Sequence, residues 1–185
     1  MEPKGPVAAL EGMIMAAVEE YREAVPPDLD HPFLAHRPER LGLSIWGVAM
    51  DSQGHQLAHI HPSAWLSGVY YPKIPAVIAA DDPDHAGWIE FGRPPEDFYS
   101  SVEPDVRLIK PEEGLMVLFP SYFYPRTIPF EAGGVRISIA FDVKALGWRD
   151  WDHASPYSES RLIHGGASRR PLSKRSCDDC PSAKG

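Results

Sequence analysis

His59-Ile60-His61-Pro62-Ser63-Ala64-Trp65-Leu66-Ser67-Gly68-Val69-Tyr70-Tyr71 sets two histidines one residue apart ahead of a β-branched and aromatic run. In an extended segment the side chains at i and i+2 share a face, so both imidazoles converge on one spot. Neutral imidazoles suit iron, copper, zinc or nickel, and two from one strand leave coordination positions open for a substrate. The other reading is a strand whose outward face carries two histidines, and context decides, since buried imidazoles left unpaired are costly. The strand is expected to run past Pro62 into Leu66 to Tyr71 and to be ended by Pro72 and Pro75.

Outward from this stretch the pattern is of short strands. Upstream, Leu43 to Met50 is strand-like, and Asp51-Ser52-Gln53-Gly54 makes a turn into the histidine strand. Downstream, Trp88 to Phe91, Val106 to Ile109, Gly114 to Phe119 and Val135 to Val143 read as strands, the last entered through Gly133-Gly134. Ala76 to Ala86, with Asp81, Asp82 and Asp84 around His85, reads as a loop. Before the strands, Leu10, Ile14, Val18 and Tyr21 recur at helical spacing between Val7 and Val25, and Pro26-Pro27 stops that helix. The proline-rich stretch Asp28 to Leu43, with His31 and His36, is a packed loop. One helix followed by at least six short strands predicts a mainly β barrel or sandwich with an N-terminal flanking helix. Residues 1–42 form the helix and packed loop, 43–147 the β domain, and 148–185 a polar tail expected to be disordered.

Composition bounds the function classes. A chain of 185 residues with 43% hydrophobic content can bury one sizeable core. Its net charge of −8 argues against nucleic acid as a partner, so an anionic ligand would need a local cationic site. No apolar run is long enough for a membrane span, and Met1 to Pro6 lacks the order of a signal peptide, which points to a soluble cytoplasmic protein. Cys177 and Cys180 have zinc-ligand spacing but no second pair, so they are read as part of a solvated tail.

Arg136 is the candidate for such a cationic site. A guanidinium amid an apolar strand is expensive unless paired, and its fork matches a carboxylate bidentately. An acid-binding pocket is one reading; an internal ion pair or a strand edge facing water are the others. Ser138 and Ala140 share the face of Arg136, while Val135, Ile137, Ile139 and Phe141 share the opposite one.

The phrases His59 to Tyr71 and Leu118-Phe119-Pro120-Ser121-Tyr122-Phe123-Tyr124, with Gly87 to Phe91, Arg136 to Val143 and the upstream Asp30-His31-Pro32-Phe33, resemble the small 2-oxoglutarate- and Fe(II)-dependent oxygenases related to tetratricopeptide-linked oxygenases. The resemblance covers roughly half of the chain. It implies a double-stranded β-helix, or jelly roll, that couples oxidative decarboxylation of 2-oxoglutarate to oxidation of a second substrate. It implies His59 and His61 as iron ligands, with His61 where many relatives of the wider superfamily carry an acid. It also implies Arg136 and Ser138 on the distal carboxylate of 2-oxoglutarate, with Tyr71 or Tyr70 lining the cavity. The substrate, a small molecule or a peptide side chain, is left open, as is the oligomeric state.

One position departs from the family. Where close relatives carry a distal histidine ligand, followed by Arg or Gly and then Thr, this chain has Pro125, with no side-chain donor and no N–H. A cupin reading, built on Gly54, His59, His61, Gly68, Gly114 and Pro120, loses its histidine at the same residue. Three outcomes follow: a two-histidine oxygenase completed by an outside ligand, a substitute such as His85, or a catalytically silent jelly-roll binding protein.

Overall fold

The computed structural model describes residues 5–50, 55–79, 82–95, 98–131 and 134–147. Helix α1 (Pro6–Ala24) begins with proline at its first position, where the missing N–H costs nothing. It ends where Val25 turns extended and donates its N–H to the Tyr21 carbonyl. Ile14 and Val18 are fully buried, so the expected apolar stripe is the packed face.

The strands are β1 (Leu41–Met50), β2 (Leu66–Lys73), β3 (Ile89–Phe91), β4 (Arg107–Ile109), β5 (Met116–Pro120), β6 (Arg126–Thr127) and β7 (Arg136–Ala145). They form two antiparallel sheets, ordered β1-β7-β2-β5 and β4-β3-β6. Strands distant in sequence are neighbours, β7 between β1 and β2 and β6 beside β3, and the chain passes repeatedly from one sheet to the other, as in a double-stranded β-helix. The fold is therefore mainly β with a helical flank.

Alternation along the strands sorts side chains into two cores. Met50, Tyr71, Val117 and Phe119 of the first sheet meet Ile89 and Phe91 of the second. On the outer face of the first sheet, Leu66, Phe141 and Val143 pack with Trp65 against Ile14 and Val18 of α1. Gly68 lies opposite Phe141 in the β2–β7 register, and the Phe141 ring covers it so closely that a Cβ there would overlap the ring and lie 2.7 Å from the Val117 carbonyl oxygen. Trp65 is caged by Tyr21, Phe33 and the Arg22 guanidinium, which ties α1 and the 28–40 loop to the sheet.

Three local expectations are corrected. His59 and His61 do not lie on the strand that continues to Tyr71; β2 starts at Leu66, after a turn at Pro62-Ser63. The histidine stretch lies outside the strands and is bonded to both sheets, by Thr127 N–H of β6 to the Gln56 carbonyl (3.0 Å) and by His61 N–H to the Ser121 carbonyl just after β5 (3.0 Å). Pro62 has no N–H for a ladder, and the chain turns there before it enters β2. Second, β2 does not end at Pro72 but passes through it, with the register slipping between Tyr70 and Lys73 where the missing N–H interrupts the ladder. Third, Ala76 to Ala79 is one turn of helix, α2, rather than loop, started by Pro75 and anchored by the buried Ile78. The Asp51–Gly54 turn, Gly133 and the 148–185 tail with Cys177 and Cys180 lie outside the described residues. Among the described residues no helix is long and apolar enough to cross a membrane.

Candidate functional site

Between the sheets lies a cavity of about 50 Å³, with His59 and His61 on its lining together with Tyr71, Arg136, Ser138 and Pro125. Three residues of one β7 face, Arg136, Ser138 and Ala140, run along its wall by simple alternation, and Asp142 continues that face. Their β1 partners Val48 and Trp46 line it as well. Ile137 on the other β7 face is 37% exposed, so here the polar residues are the inward ones.

The two imidazoles converge despite the loss of strand geometry, with their Nε2 atoms 3.1 Å apart. Each ring is fixed from behind. His59 Nδ1 lies 2.7 Å from the Leu57 carbonyl oxygen, which can only accept, so Nδ1 carries the proton. His61 Nδ1 lies 2.9 Å from Asp142 Oδ1, which also accepts the Ser67 hydroxyl at 2.7 Å. An ionised carboxylate has no proton to give, so His61 Nδ1 is the donor. In their neutral forms both rings then direct an Nε2 lone pair at the same point. Burial lowers the His59 pKa, opposed by the Leu57 carbonyl, lowered further by His61 and raised by Asp142, so the neutral ring is favoured.

Two lone pairs at that separation repel unless a proton or a metal cation lies between them. Metal–imidazole bonds of about 2.1 Å set the nitrogens of adjacent ligands roughly 3.0–3.4 Å apart, from octahedral to tetrahedral angles, which brackets the observed spacing. Two donors therefore fit a first-row metal ion. A third protein donor is not present: among the described residues no group of three His, Cys, Asp or Glu side chains could hold a metal. Pro125 lines the cavity at the start of β6, and Arg126 and Thr127 follow it, with Arg126 bonded to the buried Glu90. His85 is not gathered with the pair; its ring packs edge-on against Trp88 at 4.5 Å. His31 and His36 stay in the 28–40 loop, where His31 Nδ1 accepts the Phe33 and Leu34 N–H groups.

Arg136, also on the cavity lining, is 2% exposed. One guanidinium N–H donates to the Gly87 carbonyl at 3.0 Å, and the cation sits 5.1 Å from the Tyr71 ring centroid. Its Nε and the buried Tyr71 hydroxyl lie close enough to interact with each other, yet among the described residues neither makes a hydrogen bond of good geometry, and no carboxylate pairs with the guanidinium. Neither an internal ion pair nor a solvent-facing edge describes this residue. Burial lowers the Arg136 pKa, opposed by Tyr71, and burial raises the Tyr71 pKa, opposed by Arg136. A buried cation with an unmatched N–H beside an unmatched hydroxyl fits a carboxylate. Ser138, 4% exposed and on the same face, lines the cavity beside them, whereas Tyr70 is not among the lining residues.

Asp142 is the site residue that sequence reading missed. Its position six residues after Arg136 on one strand face was visible, but its contact with His61 spans the gap between segments that only folding closes.

A comparison of the sequence with curated proteins finds no match. Among solved structures the chain is similar to a Pseudomonas putida prolyl-4-hydroxylase at 18% identity and a TM-score of 0.48, covering 80% of this chain and 71% of that one. It is also similar to a 2OG-Fe(II) oxygenase family oxidoreductase from Burkholderia pseudomallei, at 14% identity and a TM-score of 0.44, over 60% of this chain and about half (48%) of that one. Residues 44–142, more than half of the chain, match the family model described as "Putative 2OG-Fe(II) oxygenase", and to that family this protein belongs.

Proposed function

We propose that the protein is a 2-oxoglutarate- and Fe(II)-dependent dioxygenase of the hydroxylase type, working with two protein ligands on the metal. The observation that carries this reading is one cavity with two converging imidazole lone pairs and a buried, carboxylate-free guanidinium among its lining residues. His59 and His61 hold the iron through Nε2. Arg136 and Ser138 bind the distal carboxylate of 2-oxoglutarate, and the Tyr71 hydroxyl gives that carboxylate a further donor. Iron bound there supplies oxygen activation coupled to decarboxylation of 2-oxoglutarate. The protein's own part is to fix both imidazoles from behind and to hold the co-substrate by one end. Water or another outside ligand takes the position that Pro125 cannot fill. The oxidised substrate is a small molecule or a peptide side chain.

Pro125 favours one competing reading, a catalytically silent jelly-roll protein that binds a small dicarboxylate through Arg136. Anaerobic loading with Fe(II), followed by assay of retained iron and of succinate formed from 2-oxoglutarate in air, separates the two. The oxygenase reading expects iron retained near one per chain and succinate above a His59→Ala control. No iron and no succinate would overturn it. Pro125→His should tighten metal retention by at least about tenfold, because a third imidazole joins the two already aligned. Recovery of both signals only in Pro125→His would identify the natural chain as the silent form.

A further inference from the structure

From the contacts behind the histidine pair, and resting on the metal-site reading above, we infer that Asp142 is a positioning residue that holds His61 in the Nδ1–H tautomer and so keeps the Nε2 lone pair on the cavity. His61 has two ring nitrogens and two neighbours competing for its single proton. Toward the cavity lies the Nε2 of His59, whose own proton is committed to the Leu57 carbonyl at 2.7 Å. Toward the sheet lies Asp142 Oδ1 at 2.9 Å. Without the carboxylate the lower-energy arrangement puts the His61 proton on Nε2, donating to His59 Nε2 across 3.1 Å. That bond would close the pair on itself and remove both lone pairs from the cavity. Asp142 prevents it by being the better acceptor, since a hydrogen bond to an ionised group is roughly twice as strong as one between neutral groups.

The carboxylate is itself set in place. Asp142 is 8% exposed, and its Oδ1 also accepts the Ser67 hydroxyl at 2.7 Å from the facing β2 position. Ser67 has no exposed surface, so this acceptor is built into the sheet rather than borrowed from a mobile surface chain. A carboxylate behind a ligating histidine raises the basicity of the other ring nitrogen. In a site short of one protein ligand, this is a way for the chain to add negative character to the metal centre without touching it.

The test reads tautomer and metal affinity separately. Long-range ¹⁵N–¹H spectra of metal-free protein, with histidine side chains labelled, report which ring nitrogen of His61 carries the proton; Co(II) titration reports affinity. In the natural protein His61 should be protonated at Nδ1. Asp142→Leu should move that proton to Nε2 and weaken Co(II) binding about 100-fold, while Asp142→Asn, which keeps an acceptor without the charge, should retain the tautomer and lose about tenfold. Ser67→Ala, which leaves the carboxylate, should lose only a few-fold and covers the case in which Asp142→Leu does not fold. A natural protein with His61 protonated at Nε2 overturns the inference, as does an Asp142→Leu variant that folds with the Nδ1 tautomer and unchanged Co(II) affinity. If the natural protein binds no Co(II), the metal reading fails, and the tautomer in the natural and Asp142→Asn proteins still decides the role of Asp142.

Discussion

Arg136→Met separates a ligand-binding arginine from a structural one. In the ligand-free fold the substitution removes a charge-assisted hydrogen bond to the Gly87 carbonyl, about 1.5–3 kcal/mol, and a desolvated cation–π contact with Tyr71 of about 2 kcal/mol. It also removes an unsatisfied Nε–H, about 1–3 kcal/mol, and the burial of an unpaired cation, a penalty of several kcal/mol. The terms nearly cancel, so ligand-free stability should change by less than about 2 kcal/mol. Binding has no such cancellation. Truncating one partner of a buried charge pair costs about 2–5 kcal/mol, and about 2.8 kcal/mol corresponds to a roughly 100-fold weaker Kd for 2-oxoglutarate. At a 2-oxoglutarate concentration of one hundred times the natural Kd, the natural protein gains about 2.7 kcal/mol and the variant about 0.4 kcal/mol. Urea unfolding with and without 2-oxoglutarate, monitored by tryptophan fluorescence, measures both quantities. Equal stabilisation of the two proteins, or a ligand-free loss above about 4 kcal/mol, would refute the reasoning and make Arg136 a tie between β7 and the Gly87 turn.

Gly68→Ala should destabilise the fold by about 1–3 kcal/mol in urea, because the new methyl meets the Phe141 ring and the Val117 carbonyl with no room to relax. Phe141→Ala should cost about 3–5 kcal/mol, since its fully buried ring fills the space between the sheet and α1; a smaller loss would mean that the helix collapses onto the gap. Burial acts to raise the Glu90 pKa, but hydrogen bonds from Arg126 and Arg93 outweigh it and hold the carboxyl below its ordinary value of 4.5. Its contribution to stability is therefore full above that value and is lost as pH falls through the folded-state pKa. Thermal melts of Glu90→Gln should be less stable than the natural protein at pH 7 and should lack this acid-side fall; parallel curves would show that Glu90 contributes nothing through its charge.

The mainly β winding, the amphipathic α1 and the face shared by Arg136, Ser138 and Ala140 were all legible, because periods of 2 and 3.6 are local properties of a chain. That Pro125 offers no side-chain donor was legible too, since a proline cannot donate to a metal in any fold. Three things depended on tertiary structure. His59 and His61 were right as a converging pair but wrong as part of β2, because their placement is set by contacts with Thr127 and Ser121 and not by their own pattern. Whether Arg136 faced water, an acid or a cavity was undecided along the chain, since all three fit an arginine on a strand; its burial beside Tyr71 and Gly87 decided it. Asp142 could not be tied to His61 by spacing, because two residues so far apart in the chain share no period. The two meet because β7 lies beside β2 while backbone bonds from Thr127 and to Ser121 hold the histidine stretch, and it is that tertiary placement which turns two histidines in a sequence into two lone pairs aimed at one point.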